Sequence, residues 1–406
     1  MAPIPSELET APASVATATG TLLVMLTPLS QDALGSVLGN LSRAFAGDEV
    51  MIATSDVNEN AIGPFGQSYP NLHLLTDVLS VAPVSGWVLT AADFGNINKI
   101  AQQHSVTGCL LLGPESHSLT SEAILALATA VSRGADLVTP FYQTGPREGL
   151  VNSALLYPVS RAIFGGRSRF PLAVDLGLST RMAARLATVA QKFVALNQND
   201  ALLWPVAEAA IPGFSIVEVD VGERSLPQPT VADLNTLLAQ IASSLFAEVE
   251  TYAAFWQRSR VSSTPTRAFS KAAIDADAFP DVQPMLDAFR IAYTNLHEIW
   301  SLVLPPNSLL GLKRLSQLPS ESFRMSDSLW ARIVYDFILA YRLRTINRGH
   351  LLGALTPLYL AWVASHILLA RSGVDPERHI EEAVQTFESD KAYLVSRWRW
   401  PDRFNP

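Results

Sequence analysis

The alternation of short β-rich runs with amphipathic helices over residues 21–224 is the feature that most constrains the fold of this chain. Apolar runs of this length predict buried strands, and apolar residues at helical spacing predict the helices between them. The predicted strands are 21–26, 49–53, 86–90, 107–112 and 137–142, and the predicted helices are 31–45, 93–104 and 121–133. Such alternation is typical of an α/β fold with a mostly parallel sheet.

Beyond the Pro-Gln-Pro segment at 227–229 the pattern changes to helices alone. Helical spacing predicts helices at about 231–259, 282–302, 326–346, 349–371 and 376–397. We therefore expect a disordered tail over 1–20, an α/β domain over 21–226 and an all-helical domain over 227–406. The tail has no basic start and no long apolar core, so it does not resemble a secretory signal.

Composition excludes one class of partner and indicates a compartment. The 406 residues carry a formal net charge of −8, and a nucleic-acid-binding protein needs a basic face instead. A small anion held by a few arginines is still compatible with this charge. The chain has one cysteine, Cys109, which cannot form an internal disulfide, so we expect a reducing, cytoplasmic location.

The segment 351–370 contains no Asp, Glu, Lys or Arg and has about the length of a membrane span. It also contains Thr356, Pro357, Ser365 and His366. We favour a buried helix and expect no membrane span, with a membrane-associated protein as the alternative. The apolar helical half is also a candidate surface for a homodimer.

Polar loops follow several of the predicted strands. Ligands of parallel α/β sheets bind beyond the carboxyl ends of the strands. That rule places five loops around one cleft, namely 27–32, 54–59, 113–117, 143–148 and the end of a further apolar run at Asp175.

Three stretches resemble a bacterial and archaeal glycosyltransferase group that includes mannosylglycerate synthase and glucosyl-3-phosphoglycerate synthase. The first is 135–175, with ADLVTPFY, an NS-x4-YP-x2-RA helix and a Pro-Leu-x-x-Asp loop ending at Asp175. The second is the region 208–214, where Trp204 and Glu208 match the next helix of the group. The third is the C-terminal half, with Trp330-x4-Tyr-Asp-Phe and LTPLYL at 355–360. The resemblance implies a GT-A fold with a helical C-terminal extension.

The resemblance also implies a nucleotide-diphosphate sugar as donor, a small anionic, glycerate-like acceptor, and Mg²⁺ or Mn²⁺. The group's metal motif, Asp-x-Asp, corresponds to Gly113-Pro114-Glu115, so the motif is degenerate. Glu115 and His117 are the candidate metal ligands, with a solvated loop as the alternative, since the histidine expected within 221–230 is absent. On the donor side, Asp56 or Glu59 would lie near the base and ribose, and Lys99 near a phosphate.

On the acceptor side, the resemblance assigns Asp175 to the loop that faces both substrates, where a carboxylate can orient a sugar hydroxyl. Arg147, Arg167 and Arg169 flank it, and arginine forks suit carboxylates and phosphates. Asp200 is the candidate for the acidic residue that the group carries before the next helix. A helix cap for the segment that starts near Ser179, or an ion pair with Arg181, remains open for Asp175, and ordinary surface positions remain open for the arginines.

Two functions follow from these residues. The first is transfer of a hexose from a nucleotide-diphosphate sugar to a small anionic acceptor. The alternative is a catalytically inactive glycosyltransferase-like protein that serves as a binding or scaffold module, because the metal motif, the histidine, the lysine loop and the downstream acid all depart from the group's pattern.

Overall fold

The structure, a computed structural model, describes residues 21–54, 68–75, 87–144, 148–226, 234–259 and 280–401. The expected tail at 1–20 and the candidate residues Asp56, Glu59 and Arg147 lie outside these ranges. Within them, a mixed, mostly parallel sheet is followed by helices alone, which confirms the fold class.

Seven described strands form one sheet. They are β1 (Leu22–Leu26), β2 (Val50–Ala53), β3 (Leu72–Leu75), β4 (Gly108–Leu112), β5 (Leu137–Gln143), β6 (Asp175–Ser179) and β7 (Ile216–Glu223), in the order β3-β2-β1-β4-β6-β5-β7. Strands β1 to β4 are mutually parallel, and β5 pairs in parallel with β7. The continuous burial of β4 is the pattern expected for a central strand covered on both faces.

Strand β6 runs antiparallel to both of its neighbours, β4 and β5. The sequence predicted that an apolar run would end at Asp175, but the strand instead begins there. Because of the reversed direction, Asp175 lies opposite Leu112, the last residue of β4. The acidic residue therefore does reach the carboxyl edge of the sheet, as the first residue of a strand and not as a loop.

The α/β part contains six described helices: α1 (Gln31–Ala44), α2 (Ala91–Gln103), α3 (Ser121–Ser132), α4 (Tyr157–Phe164), α5 (Thr180–Val194) and α6 (Pro205–Ala210). Side chains of Ser30, Thr120 and Ser179 cap the starts of α1, α3 and α5 by accepting backbone N–H bonds. Helix α1 packs on α3, and α2 packs on α5.

The strand predicted at 86–90 is not formed by its described residues, 87–90. Thr90 instead caps helix α2 in a capping box with Asp93, whose carboxylate accepts from the Thr90 backbone N–H at 2.8 Å. The next N–H groups, of Ala91 and Ala92, donate to the carbonyls of Ala201 and Asn199. The capping interactions of Thr90 and Asp93 therefore start a helix here, although the β propensity of the run favours a strand.

The C-terminal part is helical throughout its described residues. Its helices are α7 (Leu234–Thr251), α8 (Ala253–Trp256), α9 (Gln283–Asn295), α10 (His297–Val303), α11 (Pro306–Ser316), α12 (Asp327–Leu343), α13 (Arg348–Arg371) and α14 (Pro376–Arg399). One apolar core joins this part to α4 and α6 of the α/β part. Trp330 of α12 also donates its indole N–H to the carbonyl of Ala154 at 2.7 Å, which fixes the two parts against each other.

Helix α13 is the apolar segment that the sequence singled out. Among the described helices it alone is long and apolar enough to cross a membrane, and 78% of its apolar window is buried inside the protein. It packs against α7, α9, α12 and α14. Its apolar surface is thus used as core in this structure.

Candidate functional site

Asp175 is the best-defined candidate residue, and the structure pairs it completely within the protein. Its side chain is 0% exposed. One carboxylate oxygen accepts from the Tyr142 hydroxyl at 2.9 Å and from Arg224 Nε at 2.9 Å. The other accepts from the Gly113 backbone N–H at 3.1 Å and from Arg224 Nη2 at 3.2 Å. A buried carboxylate needs such partners, and here protein groups supply all of them.

Arg224, which the sequence analysis did not select, is the central cation of this site. Its side chain is also 0% exposed, and it lies in the stretch 221–230 that lacks the expected histidine. Its remaining N–H groups donate to the backbone carbonyls of Pro114, Glu115 and Ser225 and to the Ser118 hydroxyl. Burial alone would lower the pKa of Arg224, but the Asp175 carboxylate, together with Tyr142 and Glu115, outweighs burial and raises the pKa. One guanidinium thus clamps the loop after β4.

Gly113 is the residue that the resemblance aligns with the first aspartate of the metal motif. A Cβ atom built there would lie 2.3 Å from the Val174 carbonyl oxygen and 2.9 Å from the Val174 Cβ. Real side chains do not make such contacts, and the obstacle is backbone of the neighbouring chain segment. The close approach of β6 therefore excludes an aspartate at position 113 in this fold.

Glu115 and His117, the candidate metal ligands, lie together at this edge of the sheet. Glu115 Oε2 is 3.6 Å from His117 Nε2, and their side chains are 48% and 39% exposed. Glu115 has a left-handed backbone with φ of 61°, which a non-glycine residue seldom adopts. Among the described residues, no group of three or more His, Cys, Asp or Glu side chains has metal-binding geometry. Two half-exposed ligands do not fit a divalent metal that bridges phosphates.

The remaining candidates with described side chains do not converge on Asp175. Lys99 is exposed on α2, and Asp200 is exposed in the loop before α6. Arg167 is exposed in the turn that follows α4. The alternative that Asp175 pairs with Arg181 is wrong, because Arg181 pairs with Asp136.

Arg169 is buried between the two parts of the protein. Its guanidinium donates to both carboxylate oxygens of Glu377 on α14, at 3.0 and 2.9 Å, and to the Ser153 hydroxyl at 2.8 Å. It also lies over the rings of Tyr157 and Phe170, 5.3 and 4.9 Å from their centroids. These contacts assign Arg169 to the contact between α14 and the α/β part, while its Nη1 atom is buried without a hydrogen-bond partner.

A cavity of about 280 Å³ lies beside this site, between the sheet and helices α7, α9 and α13. The Tyr142 ring and Val174 line it, and Asp175 lies behind them. The lining is almost entirely apolar, with Phe170 from the α/β part facing Leu237, Met285 and Tyr359 from the helical part. The described lining of this cavity is therefore hydrophobic, and Asp175 is not part of it.

A second buried cluster contains Glu208, one of the residues on which the resemblance to the glycosyltransferase group rests. Glu208 is 2% exposed and pairs with Arg185 at 2.7 Å and with the Tyr252 hydroxyl. Glu248 of α7 lies near it, and the Glu248 Oε1 atom is buried without a hydrogen-bond partner. Burial foremost, and then the Glu208 carboxylate, raise the pKa of Glu248 from 4.5 to about 8.

This raised pKa predicts a stability that depends on pH. The folded protein binds the Glu248 proton more tightly than the unfolded chain does. The contribution of this proton to the free energy of unfolding is therefore complete below pH 4.5 and is lost as the pH rises through about 8. We expect Glu248→Gln to reduce the slope of unfolding free energy against pH by up to about 1.4 kcal/mol per pH unit in this window. Urea unfolding at a series of pH values measures it. Glu250→Gln, at a 43% exposed position of the same helix, is the matched control. An unchanged slope in Glu248→Gln would contradict the assignment.

No protein-family model and no curated protein matches this chain. Among solved structures, the chain is similar to glucosyl-3-phosphoglycerate synthase from Mycobacterium tuberculosis in complex with phosphoglyceric acid. The identity is 16%, the TM-score is 0.38, and 58% of this chain and 81% of that chain are covered. For the complex of the same synthase with Mn²⁺, UDP and glucosyl-3-phosphoglycerate, the identity is 16% and the TM-score is 0.38, and 60% of this chain and 86% of that chain are covered. For a mycobacterial protein, the identity is 14% and the TM-score is 0.38, and 59% of this chain and 80% of that chain are covered.

Proposed function

We propose that this chain is a glycosyltransferase-like binding protein that does not carry out metal-dependent sugar transfer. The observation that carries the proposal is the fully buried ion pair between Asp175 and Arg224. A divalent cation at this edge would need carboxylate oxygens with free lone pairs. Both Asp175 oxygens are instead occupied by protein donors, and the cation beside them is a guanidinium.

The hydrogen bonds that Arg224 donates support the same conclusion. A guanidinium has five N–H donors, and those of Arg224 are directed at Asp175, at backbone carbonyls and at Ser118. None is therefore left for a diphosphate. The steric block at Gly113 acts in the same direction, because it removes the position of the first metal-binding carboxylate.

The second candidate is transfer of a hexose from a nucleotide-diphosphate sugar to a small anionic, glycerate-like acceptor, with Mg²⁺ or Mn²⁺. One observation favours it. Glu115 and His117 form a half-exposed pair at the edge of the sheet where ligands of α/β folds bind. In this candidate the pair would hold the metal together with donor phosphates, and Arg224 would only shape the loop.

Calorimetric titration of the protein with UDP-glucose and with GDP-mannose, each with and without Mn²⁺, separates the two candidates. We expect no Mn²⁺-dependent binding of either compound, because the described residues supply only two exposed ligands. The double variant Glu115→Gln, His117→Asn should give the same titrations as the wild type. Mn²⁺-dependent binding that this variant abolishes would establish the second candidate and refute the first.

A further inference from the structure

An apolar cavity lies at the junction of the two parts, and what it binds is a question beyond the proposed function. Its volume of about 280 Å³ is near the lower end of the range for small-molecule sites. The α/β part contributes Trp87, Tyr142 and Phe170, and the helical part contributes Leu237, Met285 and Tyr359. Residues from two separate hydrophobic cores line it, and small-molecule sites often lie at such junctions.

The charge of the lining restricts the ligand. The described residues that line this cavity include no Lys, Arg, Asp or Glu. A phosphate or carboxylate placed there would lose its hydration without gaining a cation, which is strongly unfavourable. The lining therefore selects against sugar nucleotides and free acids and favours a neutral molecule.

One polar group of the lining has an unused hydrogen bond. Tyr359 is 4% exposed, and its hydroxyl has no hydrogen-bond partner among the described residues. By contrast, the Tyr142 hydroxyl donates to Asp175, and the Asn152 amide donates to the Arg169 carbonyl at 2.6 Å. Burial raises the pKa of Tyr359, so the group is a neutral donor at physiological pH. The oxygen of a molecule bound beside this hydroxyl would accept its hydrogen bond.

We propose that this cavity binds a neutral lipid-like molecule, in which an aliphatic chain packs against the apolar walls and one oxygen accepts a hydrogen bond from Tyr359. The chain contributes affinity through apolar burial. The hydrogen bond fixes the orientation of the molecule and distinguishes an alcohol or ester from a plain hydrocarbon. No chemical conversion of the ligand is involved.

The test uses 1-decanol as the probe, titrated calorimetrically into the full-length protein. We expect saturable binding of one molecule per chain. Leu360→Trp fills the cavity from a half-buried position and should weaken binding more than 10-fold. Leu309→Trp is the matched control, since Leu309 is a half-buried leucine of α11 that does not line the cavity, and it should leave binding unchanged. Absence of saturable binding to the wild type, or equal binding to Leu360→Trp, overturns the proposal.

A second variant tests the hydrogen bond without changing the shape of the cavity. Tyr359→Phe should weaken 1-decanol binding by about 2- to 12-fold, the range for one neutral hydrogen bond. It should leave the binding of decane unchanged, and decanoate should bind more weakly than 1-decanol to both proteins. An unchanged affinity of Tyr359→Phe for 1-decanol, or tighter binding of decanoate, overturns the assigned ligand class. These titrations contain no nucleotide or metal, so their failure is distinct from a failure of the proposed function.

Discussion

Arg224→Met is expected to lower the free energy of unfolding by about 3–5 kcal/mol, because it removes the partner of a buried charge. Asp175 is 0% exposed and would keep only the bonds from Tyr142 and Gly113. The clamp on the carbonyls of the loop after β4 would be lost as well. Urea unfolding followed by circular dichroism gives the free energy directly.

Two further variants control this experiment. Arg378→Met removes an exposed ion pair with Glu382, in which both side chains are more than half exposed, and should change stability by less than about 1 kcal/mol. Adding Asp175→Asn to Arg224→Met should recover part of the loss, because no buried charge then remains unpaired. If Arg224→Met is as stable as Arg378→Met, the pair does not hold the site together.

Gly113→Asp introduces the aspartate that the resemblance places at this position, and we expect it to destabilise the protein by about 3 kcal/mol or more without creating a metal site. The new Cβ would lie 2.3 Å from the Val174 carbonyl oxygen, so β4 and β6 must separate. The added carboxylate would also lie beside Asp175 without a cation of its own. Urea unfolding with and without Mn²⁺ measures both effects.

Gly35→Asp provides the matched control for this substitution. Gly35 lies in helix α1, and a Cβ there meets no atom within 4 Å, so the same change should shift stability by less than about 1 kcal/mol. Stabilisation of Gly113→Asp by Mn²⁺, beyond any effect on the wild type, would show that the loop still accepts a metal. That result would favour the transferase candidate.

Local patterns in the sequence were sufficient for most of the α/β elements. Strand β4 and helices α1 and α3 lie within one residue of their predicted bounds, because each is a strongly apolar or periodic segment with polar residues at its ends. Strand β3 was missed, since Leu72–Leu75 is a four-residue run that contains His73. The run at 86–90 was assigned wrongly because Thr90 and Asp93 form a cap that outweighs its β propensity.

The candidate site was less predictable, and Arg169 and Asp175 show why. Asp175 was selected as a charge at the end of an apolar run and Arg169 as an arginine that flanks it, and the structure buries both. Their partners, Glu377 and Arg224, are 208 and 49 residues distant along the chain. No local pattern connects such positions, so the sequence could not distinguish a ligand-binding charge from an internally paired one. Arg224 had one signal, namely its place as a charge at the end of a strand, directly after Glu223.

By itself, the sequence determined that strands and helices alternate up to about residue 224 and that helices alone follow, because periodicity and capping are local properties. It also marked the carboxyl edge of the sheet, and through the resemblance it predicts that Gly113-Pro114-Glu115 is a degenerate metal motif. Only the tertiary structure decided the direction of β6, the pairing of Asp175 with Arg224 and the apolar character of the neighbouring cavity. These features depend on contacts between segments that are distant in the sequence. An unpaired buried charge is unfavourable, so buried charges are paired, and hydrophobic side chains fill the rest of the interior.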